Sequence, residues 1–256
     1  AGKGDFAVRA SEDSNNELAV LGSSFNQMVE EIGKLVEDIR VEQLNLRATE
    51  LKLLQAQINP HFLYNTLDTI VWLAEAGKKE EVVWMVSSLS NFFRTTLSKG
   101  RDYISVEEEE SHIRSYLEIQ QFRYRDILEY EIQIPEELYG FQILKLTLQP
   151  LVENALYHGI KNKRGLGHIR VTGQIRGECL MFRVWDDGMG MSPERLELVR
   201  HMIRGEVQSK DQSSGFGLFN VWQRLQLNYG AEYGLEIDSR YGEWTETKVV
   251  IPAVKI

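Results

Sequence analysis

The chain has 256 residues, of which 43% are hydrophobic and 26% are charged, and this ordinary globular composition excludes disordered and collagen-like architectures. Its 29 basic and 38 acidic residues give a net charge of −9, so the chain has no general attraction for nucleic-acid phosphates, and nucleic acid is not expected as a partner. No apolar run approaches the roughly 20 residues that span a bilayer. Because the chain begins with Ala rather than Met, we expect a piece of a longer protein.

The first predicted element is a long helix with apolar residues spaced three and four positions apart. They are Leu18, Leu21, Phe25, Met28, Ile32, Leu35 and Ile39. This a/d heptad seam favours a parallel coiled-coil dimer, although a helix packed on its own domain is the alternative. The pattern then shifts phase before it resumes at Leu44, Leu51, Leu54 and Ile58. Such a break changes supercoil winding without ending the helix.

Residues 57–65 read Gln-Ile-Asn-Pro-His-Phe-Leu-Tyr-Asn and place a proline beside an imidazole. Pro60 lacks an N–H, and we expect it to kink the helix at a cost of about 3 kcal/mol. Asn65 lies one helical turn beyond His61 and therefore on a similar face. The spacing alone leaves two interpretations of His61 open, a buried bundle histidine and a nucleophile.

A turn at residues 77–79 separates this helix from a second amphipathic helix. Its apolar positions are Val82, Met85, Val86, Leu89, Phe92, Phe93 and Leu97. Two such helices in each chain, doubled by a dimer seam, predict a four-helix bundle. The aromatic side chains expected in the bundle core are Trp72, Trp84, Phe92 and Phe93.

A third helix is predicted where Ser105 and Glu108 form a capping box, with Glu107–Glu110 as its solvated first turn. Beyond residue 127 the hydrophobic period changes, and strands alternate with helices. The strands are predicted near 128–134, 169–175, 180–184, 235–237 and 248–251, and the helices near 150–159, 193–204 and 218–229. This mixture predicts an α/β sandwich.

Three motifs in this second half carry residues suited to a nucleotide. In residues 149–159, a helix that begins near Pro150 presents Asn154, whose amide oxygen could ligate a hard cation such as Mg²⁺. Residues 184–190 are a strand end with two carboxylates and a glycine turn, suited to an exocyclic amine at close approach. Residues 213–220 place glycines before a helix N-terminus, which favours phosphate. The order and spacing of all three motifs are what indicate a nucleotide site.

These residues and the N-terminal segment resemble three known families. Residues 149–159, 186–190 and 215–218 resemble the N, G1 and G2 boxes of the gyrase/Hsp90/histidine-kinase/MutL (GHKL, Bergerat-fold) ATPase superfamily. Residues 57–65 resemble the acceptor motif of LytS/YesM-type sensor histidine kinases, and residues 1–40 resemble the second half of a HAMP domain. The resemblance implies an α+β multidomain chain, in which a long helical coiled coil or dimeric four-helix bundle precedes a GHKL-type α/β sandwich. The domains expected are a partial HAMP at 1–40, a dimerisation and phosphoacceptor domain at 41–126, and an ATP-binding domain at 127–256.

The resemblance also implies roles for single residues. His61 would accept the phosphoryl group, Asn154 would ligate Mg²⁺ between the phosphates of ATP, and Asp186 would accept the adenine amino group. Residues 192–214 would form a mobile lid over ATP. The remaining nucleotide-binding residues implied are Gly188, Gly190, Gly215, Gly217, Leu218, Asn220 and Thr245.

Four positions depart from the family pattern, and one of them is Trp244, which stands where relatives usually carry a glycine before the threonine. Phe62 stands where many histidine kinases carry an acid, so no general base is assigned. Pro150 stands where gyrase-like ATPases carry the glutamate that activates water, which favours transfer to histidine over hydrolysis. Tyr157 replaces a lysine found in many relatives, so His158 or Lys161 is expected to contact the phosphates.

Taken together, the resemblance implies a sensor histidine kinase that phosphorylates His61 within a homodimer and passes the phosphoryl group to an aspartate of a response regulator. Asn65 is predicted to orient water for dephosphorylation of that regulator. The HAMP-like start implies the cytoplasmic portion of a plasma-membrane protein, and the chain as given is expected to be soluble. The alternatives are a hydrolytic GHKL-type ATPase and a catalytically inactive dimeric signalling scaffold.

Overall fold

The structure is a computed structural model that describes residues 26–34, 36, 60–97, 101–206 and 216–256. It divides into two compact units, Ala1–Pro60 and His61–Ile256. Most of the predicted heptad seam, Gly215 and the lid from residue 207 lie outside the described residues. Within the described part of the chain, no helix is long and apolar enough to cross a membrane.

In the first unit, residues 26–34 form a helix, α1. Val29 is buried, whereas Met28 and Ile32 of the predicted seam are exposed. Gln27 donates a side-chain hydrogen bond to Glu31 one turn later, at 3.5 Å. The coiled-coil dimer stays a prediction.

In the second unit, α2 (Pro60–Glu75) and α3 (Lys79–Leu97) form a helical hairpin. The turn passes through Gly77 at a φ of +72°, a conformation that glycine adopts without a Cβ clash. One face of the hairpin is buried, at Phe62, Leu73, Met85, Leu89 and Phe92. We call the other face, which is exposed, the outer hairpin face; its residues are Tyr64, Leu67, Val71, Trp72, Val83 and Val86. Trp72 is therefore not in the core of the single chain, in contrast to Phe92. Trp84 is partly exposed and packs on Phe122, with ring centres 5.9 Å apart.

The short strand β1 (Tyr103–Ser105) leads into α4 (Val106–Arg123). The backbone N–H of Glu108 donates to Oγ of Ser105 at 3.0 Å, and the Glu108 carboxylate accepts the Ser105 N–H at 3.0 Å. The predicted capping box is confirmed, and it satisfies two backbone donors at the helix start.

The prediction that the acidic first turn of α4 is solvated is wrong for Glu109 and Glu110, which are 0% and 7% exposed. Glu109 accepts the backbone N–H groups of Leu146 at 2.9 Å and Leu148 at 2.7 Å. Glu110 accepts a hydrogen bond from Arg114 at 2.6 Å. Buried carboxylates need such partners, and here donors distant in sequence supply them to Glu109.

Five strands form one mixed sheet: β2 (Leu128–Gln133), β4 (Gly167–Arg176), β5 (Cys179–Asp186), β6 (Gly234–Arg240) and β7 (Trp244–Pro252). Their order across the sheet is β2-β4-β5-β7-β6. β2 pairs with β4 in parallel, and the other neighbours are antiparallel. β1 pairs separately with β3 (Gln142–Leu144), and the sequence did not predict this pair because three residues are too few to show an alternating pattern.

Three helices accompany the sheet: α5 (Gln149–Asn154), α6 (Pro193–Ile203) and α7 (Phe216–Tyr229). α5 continues into a π-helical turn, Ala155–Gly159, and a 3₁₀ turn, Ile160–Asn162. One hydrophobic core runs from Phe62 on α2 to Ile251 on β7. The predicted fold class, helices followed by an α/β sandwich, is confirmed, and the predicted domain boundaries stay predictions.

Candidate active site

A cavity of about 190 Å³ lies among α5, α6, α7 and the ends of β5 and β7. Six of the residues predicted to bind nucleotide line it: Asn154, His158, Asp186, Gly190, Leu218 and Thr245. The sheet register explains one of these contacts, because Asp186 on β5 is directly opposite Thr245 on β7. The remaining lining residues are Gly159, Met191, Arg195 and Val199. The cavity therefore combines apolar walls with a few polar groups, as small-molecule sites do.

Asp186 is the most deeply buried carboxylate of this cavity, with 2% of its surface exposed. Among the described residues its hydrogen-bond donor is the Gly188 N–H, at 3.0 Å from Oδ1. Burial raises the pKa of Asp186 to about 7, although the Gly188 N–H acts in the opposite direction. A carboxylate has acceptor capacity for several donors, so a ligand N–H group could be accommodated here.

Two glycines allow the backbone to close around Asp186. A Cβ atom on Gly159 would lie 2.1 Å from Oδ1 of Asp186, and one on Gly188 would lie 2.4 Å from the Gly159 backbone. Gly190 has a φ of +59°, and its Cβ would meet the Arg240 carbonyl oxygen at 2.0 Å. No other residue type fits these positions without displacing the carboxylate or the turn. Gly159, which ends the first motif, was not predicted to line the cavity.

The neighbouring Asp187 has a different environment. It accepts the His168 backbone N–H at 2.7 Å, the His168 ring at 2.9 Å and the Lys163 ammonium at 2.9 Å. Although burial raises the pKa of Asp187, these hydrogen bonds lower it below its ordinary value. Asp187 therefore holds the loop after β5, and Asp186 is the carboxylate that faces the cavity.

Among the cationic side chains, the structure separates Lys161 from the cavity and places Arg195 beside it. The Lys161 ammonium lies 4.8 Å from the centre of the Tyr157 ring and 5.1 Å from that of Tyr124. Burial, together with nearby Arg195, lowers the pKa of His158, which favours its neutral form. Sequence reasoning missed Arg195 because it belongs to an ordinary amphipathic helix; its position just after the Ser-Pro helix start was the available signal.

The first turns of α7 follow the third motif. Leu218 lines the cavity, whereas Gly217 and Asn220 are exposed and are not among its lining residues. Gly215 lies outside the described residues. The roles of Gly215, Gly217 and Asn220 toward the phosphates stay predictions.

The predicted acceptor lies on the first turn of α2. His61 is exposed, and Nδ2 of Asn65 lies 2.9 Å from its Nδ1. Phe62, which occupies the position of the missing acid, points into the core and packs on Phe92 with ring centres 4.9 Å apart. The α2 backbone therefore presents His61 outward while its neighbour anchors the helix.

The donor set of the cavity fits a magnesium ion that arrives with a nucleotide. Mg²⁺ usually takes one or two protein oxygens and completes its shell with phosphate oxygens and water. Asn154 lines the cavity and carries an amide oxygen suited to this role. Within the described part of the chain, no group of three or more His, Cys, Asp or Glu side chains forms a separate metal site.

Comparisons with known proteins agree with this geometry. Residues 1–34 match the HAMP domain, residues 49–128 match the histidine kinase family, and residues 142–255 match the histidine kinase-, DNA gyrase B- and HSP90-like ATPase family. The sensor histidine kinase YesM of Bacillus subtilis (strain 168) is 35% identical over 94% of this chain and 40% of its own length. The sensor protein LytS of Bacillus cereus (strain ATCC 14579) is 36% identical over 81% of this chain and 34% of its own length.

Among solved structures, the mycobacterial sensor histidine kinase MprB is 20% identical, covers 60% of this chain and 98% of that chain, and has a TM-score of 0.43. The chain spans 34–40% of the length of the two curated relatives. The three family matches together account for most of its residues. The chain therefore belongs to the LytS/YesM-type sensor histidine kinases and carries an ATPase domain of the gyrase B and HSP90 type.

Proposed function

We propose that this chain phosphorylates itself on His61 with ATP and then passes the phosphoryl group to an aspartate of a response regulator. The observation that carries the proposal is the convergence of six predicted nucleotide residues on one cavity, in the compact unit that also contains His61. Pro150 supports transfer over hydrolysis, because that position offers no carboxylate to activate water.

The cavity suggests how an adenine nucleotide is held. The ionised Asp186 carboxylate accepts the exocyclic amine of adenine, and Met191, Val199 and Leu218 supply apolar contacts to the base. The glycine contacts around Asp186 leave no room for a side chain beside the base. This arrangement favours adenine over guanine, which presents a carbonyl oxygen at the corresponding position.

The phosphates need positive charge, and two groups of the cavity are suited to provide or hold it. Asn154 would hold Mg²⁺, which would supply charge neutralisation at the phosphates, and Arg195 provides a permanent cation at the cavity. Neutral His158 is suited to a hydrogen bond with the ribose or phosphates. Positioning and charge neutralisation are the main protein contributions to phosphoryl transfer.

On α2, the Asn65 carboxamide sets the state of the nucleophile. In the structure the nitrogen of that carboxamide faces Nδ1 of His61. Attack from Nε2 requires the flipped amide orientation, in which the oxygen accepts the Nδ1–H. Nε2 then keeps its lone pair and attacks the γ-phosphorus. The N–P bond forms, the bond from the γ-phosphorus to the bridging oxygen breaks, and ADP leaves. The imidazole proton passes to solvent, since Phe62 provides no base.

The same carboxamide supports a second role for Asn65, the orientation of a water molecule for dephosphorylation of the regulator. Asn65→Ala is expected to slow release of phosphate from the phosphorylated regulator to a greater extent than it slows labelling of His61. Unchanged regulator dephosphorylation in this variant would contradict the role.

The outer hairpin face supports a homodimer as the working form. Six large apolar side chains on it are exposed in one chain, and an equivalent hairpin from a second copy would bury them as a four-helix bundle. The HAMP match at residues 1–34 supports a membrane-anchored parent protein whose cytoplasmic part includes this chain.

The test is incubation with Mg²⁺ and γ-labelled ATP, followed by exposure of the labelled protein to acid and to alkali. Acid-labile, alkali-stable label in the wild type, absent from His61→Gln, is the expected result. His201→Gln is the matched control, because His201 is exposed and lies outside the cavity. Steady phosphate release without labelled protein would instead indicate a hydrolytic ATPase, and absence of nucleotide binding would indicate a scaffold.

A further inference from the structure

A buried histidine lies between the acceptor hairpin and the nucleotide cavity. His112 on α4 is 0% exposed, and its ring stacks on Phe92 of α3 with ring centres 4.5 Å apart and planes inclined by 20°. Phe92 in turn packs on Phe62, the residue after His61. The sequence motifs assign no role to His112. The structure places it in contact with the acceptor hairpin through Phe92 and with α5 through Gln149.

The polar side of the same ring contacts the nucleotide-binding helix. Nε2 of His112 lies 2.6 Å from Oε1 of Gln149, the first residue of α5. Nε2 of Gln149 donates to the Glu153 carboxylate at 2.8 Å, and Glu153 directly precedes Asn154. Because a carboxylate only accepts, the Gln149 nitrogen faces Glu153 and its oxygen faces His112. His112 therefore donates through Nε2, and burial lowers its pKa, which favours the neutral ring.

This arrangement is costly as a packing solution. Nδ1 of His112 is buried beside the Phe92 backbone and makes no hydrogen bond of normal geometry. A buried polar atom without a partner destabilises a protein, and an aromatic hydrocarbon ring would stack on Phe92 without that cost. The feature that only the imidazole supplies is the N–H directed at Gln149.

Two further α4 side chains contact the same segment. The Glu109 carboxylate accepts the backbone N–H groups of Leu146 and Leu148, just before α5. Gln120 donates to the Tyr157 hydroxyl at 3.2 Å, just after it. Together with the His112 contact to Gln149, these contacts attach the residues before α5, its first residue and the turn after it to one helix.

We propose that His112 is a positioning residue of the nucleotide site: its hydrogen bond to Gln149 fixes α5, and with it the Mg²⁺-binding oxygen of Asn154, relative to the acceptor hairpin. The inference rests on the proposed nucleotide site. His112 itself does not line the cavity and acts through Gln149. Its action is therefore specific to the metal-dependent part of nucleotide affinity.

The test measures ADP affinity by calorimetry with Mg²⁺ and with chelator. His112→Phe keeps the ring on Phe92 and removes the donor, whereas His112→Gln removes the ring and supplies an N–H near the position of Nε2. We expect His112→Phe to lose about tenfold of the Mg²⁺-dependent gain in affinity, the usual effect of one buried hydrogen bond. His112→Gln should retain most of that gain, and metal-free affinity should stay within about twofold in both variants.

Gln149→Met removes the acceptor of the same hydrogen bond. It therefore tests the proposal even if His112→Phe does not fold. Retention of the full Mg²⁺-dependent gain in His112→Phe or in Gln149→Met would overturn the proposal. Equal losses with and without Mg²⁺, or a larger loss in His112→Gln than in His112→Phe, would also overturn it, because both indicate packing alone.

The outcome separates this inference from the proposed function. A wild-type chain that binds Mg²⁺–ADP and shows the expected ranking of variants, yet never labels His61, would support the positioning role while the kinase proposal fails. A wild-type chain that does not bind ADP would overturn both.

Discussion

Large apolar side chains are exposed on one face of the α2–α3 hairpin, whereas those of the sheet interior are buried. Trp72 is 76% exposed on the hairpin, whereas Phe182 at the centre of the sheet is fully buried. Val71 and Val83 of the hairpin are also exposed, although valines of the sheet interior such as Val171 are not. The sheet region completes its core, and its cavity, within one chain. The hairpin leaves a face that is exposed among the described residues, so the two regions should respond to different kinds of substitution.

The largest expected effect comes from closing the cavity of the sheet region. Gly159→Ala places a methyl group 2.1 Å from the Asp186 carboxylate, which must move out of its position. We expect ADP affinity to fall about 100-fold, since overpacking of this kind costs up to about 3 kcal/mol. Calorimetry measures the affinity, and sedimentation should show an unchanged dimer. Gly140→Ala is the control, because a Cβ there has no neighbour within 4 Å; an equal loss in both variants would contradict the explanation.

A smaller effect, on the other region, is expected from a charge on the outer hairpin face. Trp72→Glu should weaken dimerisation about 30-fold, since a central buried tryptophan contributes about 2 kcal/mol or more to an interface. ADP affinity per chain should not change. Sedimentation equilibrium measures the dimer, and Asn91→Glu adds the same charge at an exposed polar position of α3. Dimerisation as strong as in the wild type would show that the outer hairpin face is not the dimer interface.

The smallest effect is a pH dependence confined to the cavity. Because the folded-state pKa of Asp186 is about 7, above its ordinary 3.8, the folded chain holds a proton that the unfolded chain releases between these values. Folding stability therefore falls as pH rises through this window. Asp186→Asn does not titrate, so its thermal midpoint should exceed that of the wild type by a few degrees more at pH 8 than at pH 5.

Calorimetry without nucleotide provides this comparison. Glu109, whose pKa burial also raises to about 7, titrates in both proteins and cancels. Asp187 and Lys163 contribute charge beside Asp186 in both proteins as well. An equal difference in midpoint at the two pH values would show that the Asp186 carboxyl does not hold its proton in the folded chain.

Local patterns were enough to predict much of this fold. The Ser105–Glu108 capping box depends on residues three apart, and the β4 and β5 strands show clear alternation, so both could be recognised without tertiary information. The nucleotide motifs were recognisable for a related reason. Asp186, with the glycines at 188 and 190, forms one continuous stretch of chain.

The features that were missed depend on partners far away in sequence. Glu109 was expected in solvent. Nothing near it in sequence indicates that the backbone N–H groups that donate to its carboxylate lie 37 and 39 residues later. The His112–Gln149 bond likewise spans 37 residues. Arg195 becomes a cavity residue only through the packing of α6 against α7, which periodicity alone does not specify.

The bond between Glu109 and the loop before α5 has a consequence for dissecting the molecule. Leu146 has a φ of +56°, a left-handed conformation that costs a residue with a side chain about 1–2 kcal/mol. The Glu109 carboxylate accepts the N–H of Leu146 and that of Leu148, which offsets this strain. A fragment cut at residue 127 would lack that carboxylate and should relax around Leu146, loosening the helix that follows. An ATP-binding module meant for transplantation between kinases should therefore begin before β1, so that α4 travels with it.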